Sequence, residues 1–179
     1  MSKQLIIAEK PSVASDIARV LGGFKRHDDY FESDDFVLSS AVGHLVQIAV
    51  PDEFEVKRGK WSFANLPVIP PHFDLLPIEK SEARLKLLTK LLKRKDVTGV
   101  INACDAGREG ELIFRLIEQY AGGAKPLNKP VKRLWLQSMT PQAIRDGFNS
   151  LRSEQQMQGL ADAARSRSEA DWLVGINGT

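Results

Sequence analysis

The stretch Val97-Thr98-Gly99-Val100-Ile101-Asn102-Ala103-Cys104-Asp105-Ala106-Gly107-Arg108-Glu109-Gly110-Glu111 decides how this chain folds. Its first half, Val97 to Ala103, is a short apolar run of the kind that forms a buried strand. Beyond it, Leu112, Ile113, Leu116, Ile117 and Tyr120 recur at helical spacing. Acidic residues are therefore delivered at the carboxyl end of a strand, on the turn into a helix, where open α/β sheets place their ligands. Gly107 and Gly110 let the turn tighten and let a phosphate or metal approach the backbone. Asp105, Glu109 and Glu111 are three carboxylates within seven residues, and they repel one another unless a cation shares the site. Glu109 and Glu111 also suit the positive end of a helix dipole. Taken alone, the stretch reads equally as a solvated acidic first turn.

A second junction of the same kind lies near the start. Gln4 to Ala8 is a short apolar strand, Glu9 and Lys10 end it, and Pro11 opens a helix at its favoured first position. Val13, Ile17, Val20 and Leu21 form that helix's buried stripe, and Gly22-Gly23 stops it. In a parallel sheet such junctions share one edge, so Glu9 and Asp105 are expected to converge. The plainer alternative is that Glu9 and Lys10 only flank a helix start. Phe36 to Val42 and Val131 to Gln137 are two further strands. His44, just after the first of these, reads as a structural residue or as one touching the site.

Ser81 to Lys95 is an amphipathic helix with Leu85, Leu88 and Leu92 on one face. Thr140 caps another, whose apolar side is Ile144, Phe148 and Leu151. Ser153 and Gln156 have the spacing of a capping box for a last helix, running through Met157, Leu160 and Ala164 towards Val174. Arg167 and Asp171 lie one turn apart on it, which by itself is an ordinary exposed pair. Pro51 to Pro77 is rich in proline and reads as irregular. Inside it, Lys57-Arg58-Gly59-Lys60-Trp61 could grip phosphate and stack a base. It reads equally as a packed tryptophan among solvated lysines.

The element order implies an α/β fold, Rossmann-like, with a mostly parallel sheet of about four strands and helices on both faces. It divides as an α/β domain over 1–151, with an irregular insertion at about 45–78, and the first helix of a following helical domain over 152–179. The apolar ending near Ile176 suggests a piece of a longer protein. Lys plus Arg number 25 against 23 Asp plus Glu, a net charge of +2, so a nucleic-acid footprint would have to be local. The single Cys104 excludes an internal disulfide and a cysteine zinc site, and reads as a core residue. No apolar run approaches the ~20 residues of a membrane span, and the chain reads as intracellular and soluble. Glu9-Lys10-Pro11-Ser12 holds no glycines where a dinucleotide fold would want them, and no Walker-A loop is present. The site is acidic and suits a hard divalent cation such as Mg²⁺.

An acid after the first strand, joined to an acidic turn after a later one, resembles the Toprim domain shared by topoisomerases, bacterial primases and some nucleases. Six segments are similar, in order, to type IA DNA topoisomerases, those of the topoisomerase III kind above all. They are LIIAEKPSVA at 5–14, SSAVGHL at 39–45, KWSFANLPVIPPHFDLLP at 60–77, DAGREGELIFR at 105–115, RLWLQSMTPQAI at 133–144 and ARSRSEADWLVGIN at 164–177. The resemblance implies that Glu9 is a general acid/base at the scissile phosphate and that Lys10 stabilises its developing charge. It implies Mg²⁺ bound by Glu9, Asp105 and Glu109, and single-stranded DNA contacted by Arg167, Asp171 and Arg133. It further implies the remaining domains of a parent topoisomerase as partners, and a cytoplasmic place with the nucleoid. Gly107 stands where many relatives have a further aspartate, so weak metal binding with several retained waters is expected. The family cleaves DNA with a tyrosine that lies far downstream. Only Tyr30 and Tyr120 occur here, neither in a matching motif, so this chain alone is expected not to cut DNA. Glu9 is expected to have a raised pKa from nearby acids. Two other classes compete: a primase- or nuclease-like Toprim phosphotransferase acting through metal, and a non-catalytic DNA-binding module.

Overall fold

The computed structural model describes residues 2–52 and 62–178. In chain order the elements are β1 (Lys3–Ala8), α1 (Pro11–Leu21), β2 (Lys25–Arg26), β3 (Phe31–Glu32), β4 (Phe36–Ser40), β5 (Val46–Ile48), β6 (Leu75–Pro77), α2 (Glu82–Leu92), β7 (Val97–Ala103), α3 (Arg108–Gly122), β8 (Val131–Arg133), α4 (Pro141–Asn149), β9 (Arg152–Ser153) and α5 (Glu154–Asn177). The main sheet has the order β2-β3-β4-β1-β7-β8-β9. Its four inner strands β4, β1, β7 and β8 are mutually parallel.

Period-two alternation puts both faces of these strands to use. Leu5, Ile7, Val37 and Val100 face one side, where Leu85 and Leu88 of α2 and Phe114 and Ile117 of α3 cover them. Ile6, Ala8, Leu38 and Ile101 face the other, under Ala14 and Ile17 of α1 and Ile144 of α4. Two-sided burial is why these strands read as continuous apolar runs. Each fully buried Leu or Ile contributes about 1.5–3 kcal/mol, so this double core fixes the register on which the site depends.

The expected four parallel strands are present. Three short antiparallel strands extend them: β2 and β3 beyond β4, and β9 beyond β8. Two residues are too few to show a period, which is why the pattern did not announce them. The segment expected to be irregular holds a two-stranded ribbon, β5 with β6, in which Pro77 pairs with Val46. Proline fits there because a ribbon has two edges and needs no donor on its outer side.

The capping box of α5 forms as the spacing predicts, with Ser153 and Gln156 exchanging hydrogen bonds. This helix packs along α3. Its far end is also held: Asn177 donates through Nδ2 to the Val68 carbonyl and accepts from the Val68 N–H. Trp172 meets Phe73 edge-on at 5.8 Å. The late apolar residues therefore pack on a segment that precedes them by about a hundred positions. Among the described residues no helix is long and apolar enough to cross a membrane.

Candidate active site at the carboxyl edge of the sheet

Strands β1 and β7 are neighbours, in a register that sets Ala8 opposite Ala103. Their chains leave the sheet level with each other, and Glu9 and Asp105 meet. Glu9 is only 8% exposed. Burial first, then the hydrogen-bonded Asp105 carboxyl, push its pKa up to about 7, while Lys10 and Arg133 pull the other way. The rise was expected from neighbouring acids; burial is the larger cause. A Glu9 proton is therefore exchangeable near neutrality, as a general acid/base requires. Lys10 Nζ lies 3.9 Å from Asp105 Oδ2, and both side chains are more than half exposed. That pair is loose and screened, so the ammonium stays available to a second anion.

The turn after β7 needs its glycines. Gly107 has φ +147°, a region that side chains rarely adopt. At Gly110 a Cβ would collide with the Asp105 carbonyl oxygen. Helix α3 thus begins pressed against the Asp105 main chain. Beside Asp105 a cavity of about 550 Å³ opens between α1 and the segment after β8, lined by Val13, Trp135, Gln137 and Ser138 among others.

Glu109 is drawn elsewhere. It is exposed on the first turn of α3, and its Oε2 lies 3.0 Å from His44 Nε2, which reaches over from the loop after β4. Among the described residues no three His, Cys, Asp or Glu side chains converge to hold a metal. The expected trio of Glu9, Asp105 and Glu109 thus reduces to a pair, because a loop and a helix turn aim their acids differently. His44 does come to this rim. Arg167 and Asp171 form an exposed pair on α5, Nε to Oδ2 at 2.6 Å. The Asp171 carboxylate, and more weakly that of Glu109, raise the Arg167 pKa.

Arg133 requires a correction. It is 1% exposed, with its guanidinium spent on main-chain carbonyls, including Asp105 O at 2.7 Å. So enclosed, it offers DNA no donor. Its burial follows from its place at the end of β8, between β7 and the start of α3. Glu111 is likewise no solvated acid: it is 0% exposed and paired with Arg115 at 2.9 Å. The i,i+4 spacing of Glu111 and Arg115 was the one sequence signal for this. Cys104 is buried, and burial pushes its thiol well above the usual range, so it is a core residue as expected. Tyr30 stacks on His27 at 4.5 Å, and Tyr120 packs against the core. Neither lies on the two loops that carry the acids. The basic cluster at 57–61 lies outside the described residues.

Level parallel strands that present a Glu-Lys turn beside an aspartate turn define an α/β domain whose ligand edge is acidic. The chain belongs to the Toprim family: the Toprim domain matches residues 4–139. It is 45% identical to the DNA topoisomerase 3 of Bacillus cereus over 179 residues, which is 100% of this chain and 24% of that protein. The DNA topoisomerase 3 of Bacillus subtilis is 43% identical over the same span, again 24% of its length. The chain therefore spans about a quarter of the length of these curated relatives. Full-length topoisomerase I from Thermotoga maritima matches 83% of this chain and 21% of its own, with a TM-score of 0.49 and 20% identity.

The Glu9–Asp105 pair also fits a hard cation. The Asp105 carboxyl raises the proton affinity of Glu9, and a divalent cation, which both residues would hold, would relieve that crowding of negative charge. Mg²⁺ characteristically binds through one or two carboxylates and keeps several waters.

Proposed function

We propose that this chain is the Toprim part of a type IA DNA topoisomerase, which cuts one DNA strand through a 5′-phosphotyrosine and reseals it. The observation that carries the reading is the meeting of Glu9, Lys10 and Asp105 at one edge of a chain so close to two DNA topoisomerase 3 proteins. When the strand is cut, the leaving 3′ oxygen needs a proton, and Glu9, half-protonated near pH 7, donates it. In resealing Glu9 takes the proton back from the 3′ hydroxyl as that oxygen re-attacks. Lys10 offsets the charge that builds on the phosphoryl oxygens in both directions. Glu9 and Asp105 would hold Mg²⁺, whose chemistry there is to fix the separated ends for rejoining. Arg167 and Asp171 serve single-stranded DNA on its way to the edge, as the outer face of a following DNA-binding domain to which α5 belongs. The attacking tyrosine comes from a remaining domain of the parent, which acts in the cytoplasm on the nucleoid.

The test uses the chain as it is. A 5′-labelled single-stranded oligonucleotide with Mg²⁺ should emerge uncut, while amide signals of Lys10, Asp105 and Arg167 shift on titration. Metal-dependent nicking by this chain alone would favour a nuclease-like reading instead. Binding that ignores Mg²⁺ and survives Asp105→Ala and Glu109→Ala unchanged would favour a non-catalytic module.

A further inference from the structure

Beneath the Glu9–Asp105 pair lies a polar cluster closed off from solvent. Asn102, Glu111 and Arg133 are 1%, 0% and 1% exposed. They come from three elements: β7, the first turn of α3, and the end of β8. The Arg133 guanidinium donates to the carbonyl oxygens of Asn102, Cys104, Leu134 and Asp105. Glu111 Oε2 answers its charge, 3.2 Å from Arg133 Nε though without hydrogen-bond alignment. The same oxygen accepts Asn102 Nδ2 at 3.1 Å, and Asn102 Oδ1 accepts the Cys104 N–H at 3.1 Å. Four of these bonds end on the main chain of residues 102–105: Arg133 to the carbonyls of Asn102, Cys104 and Asp105, and the Cys104 N–H to Asn102.

Stability alone does not account for this. A buried ion pair is commonly replaceable by apolar side chains at no loss, and apolar cores lie on both sides of it. What the cluster does supply is direction. The turn has little else to fix it, since Gly107 at the start of α3 gives no side-chain cap. Arg133 pulls the Asp105 carbonyl from below, and Gly110 lets α3 press on the same carbonyl.

We propose that Glu111, Arg133 and Asn102 are positioning residues, a buried strut that holds the Asp105 main chain, and through it the carboxylate, against Glu9. The inference rests on the reading of Glu9 and Asp105 given above. None of the three touches DNA or a cation; they act through Asp105.

The experiment compares Arg133→Lys and Asn102→Ala with Leu88→Ala, a core variant on the α2 face that lowers Tm without touching the cluster. Glu111→Gln joins the set if it folds. ¹⁵N relaxation reads the order of the Asp105 and Ala106 amides, and MgCl₂ titration reads cation affinity. The strut predicts that order at these amides falls from about 0.85 towards 0.6 in Arg133→Lys. It also predicts Mg²⁺ affinity weaker by about 10–100-fold. Leu88→Ala should leave both unchanged at a temperature where it is folded. Unaltered loop order in Arg133→Lys and Asn102→Ala, or an equal change in Leu88→Ala, would overturn the proposal. Wild-type protein that binds no Mg²⁺ would strike at the reading of Glu9 and Asp105, and loop order would still decide for or against the strut.

Discussion

The two edges of one parallel sheet treat charge in opposite ways. At the amino edge Arg94 bridges Glu32 at 2.7 Å and Asp96 at 2.6 Å, and Lys3 reaches Glu32 at 2.9 Å. Hydrogen bonds from Arg94 hold both carboxyls down to about 2. At the carboxyl edge Glu9 is pushed up to about 7, and the neighbouring Lys10 ammonium pairs loosely with Asp105. A cluster that only fastens the fold satisfies itself. A cluster that leaves an acid short of cations keeps room for a partner from outside, which is the physical content of a perturbed site.

Substitutions separate the two edges by experiment. The largest effect should be on chemistry. In a protein carrying this chain with its remaining domains, Glu9→Gln should slow strand cleavage and rejoining by about 10²–10⁴-fold. A gel assay of the covalent intermediate reads this, and near-normal cleavage would end the acid/base assignment.

Next comes the pH slope of the carboxyl edge. Glu9 ordinarily titrates at 4.5 and here at about 7. Unfolded chains give up this proton first, so the folded state loses ground as pH rises from 4.5 to 7 and carries the full penalty above 7. That penalty is about 3 kcal/mol. Glu9→Gln should therefore melt roughly 6–12 °C higher than wild type at pH 8, and the gain should shrink at pH 4.5. Thermal melts at the two pH values check it; equal gains would mean that the carboxyl is not strained in the fold.

The amino edge should slope the other way. Glu32 contributes stability that is fully present above its ordinary 4.5 and is lost as pH falls towards about 2. Arg94→Met should cost about 1–2 kcal/mol near neutrality and flatten the stability curve between pH 4.5 and 2. An undiminished acid slope in that variant, followed by circular dichroism, would show that Arg94 is not its source.

The smallest effect belongs to α5. Arg167→Ala should leave the melting temperature unchanged, since the pair is exposed. It should lower the slope of log affinity for single-stranded DNA against log salt by about 0.7. An identical slope would remove Arg167 from the DNA path.

Much of this was legible in the residues. Two strand-to-helix junctions of the same kind, in a parallel sheet, were enough to bring Glu9 and Asp105 together across ninety-six positions. The helices were legible because the core recurs along them at helical spacing. The edge strands were not, since two residues carry no period. The least legible were the charged residues. Glu109 and Glu111 stand two apart in one helical turn, yet one is exposed beside His44 and the other has no exposure at all. An acid looks the same in sequence whether it faces solvent or a buried guanidinium. What separates them is what each meets: Asn102 and Arg133 for Glu111, the loop residue His44 for Glu109. Arg133 illustrates the same point from the other side: its place beside the site was readable, its burial was not.

Helix α5 is fastened at both ends. With 24 residues it is about 36 Å long, enough to run the full height of the sheet. Near its start Glu154 is gripped by Arg115, the residue that also grips Glu111; near its end Asn177 clasps Val68. Such a rod splices two stretches far apart in the chain, helix α3, which starts beside the acids, and the segment around Val68 and Phe73, into one frame.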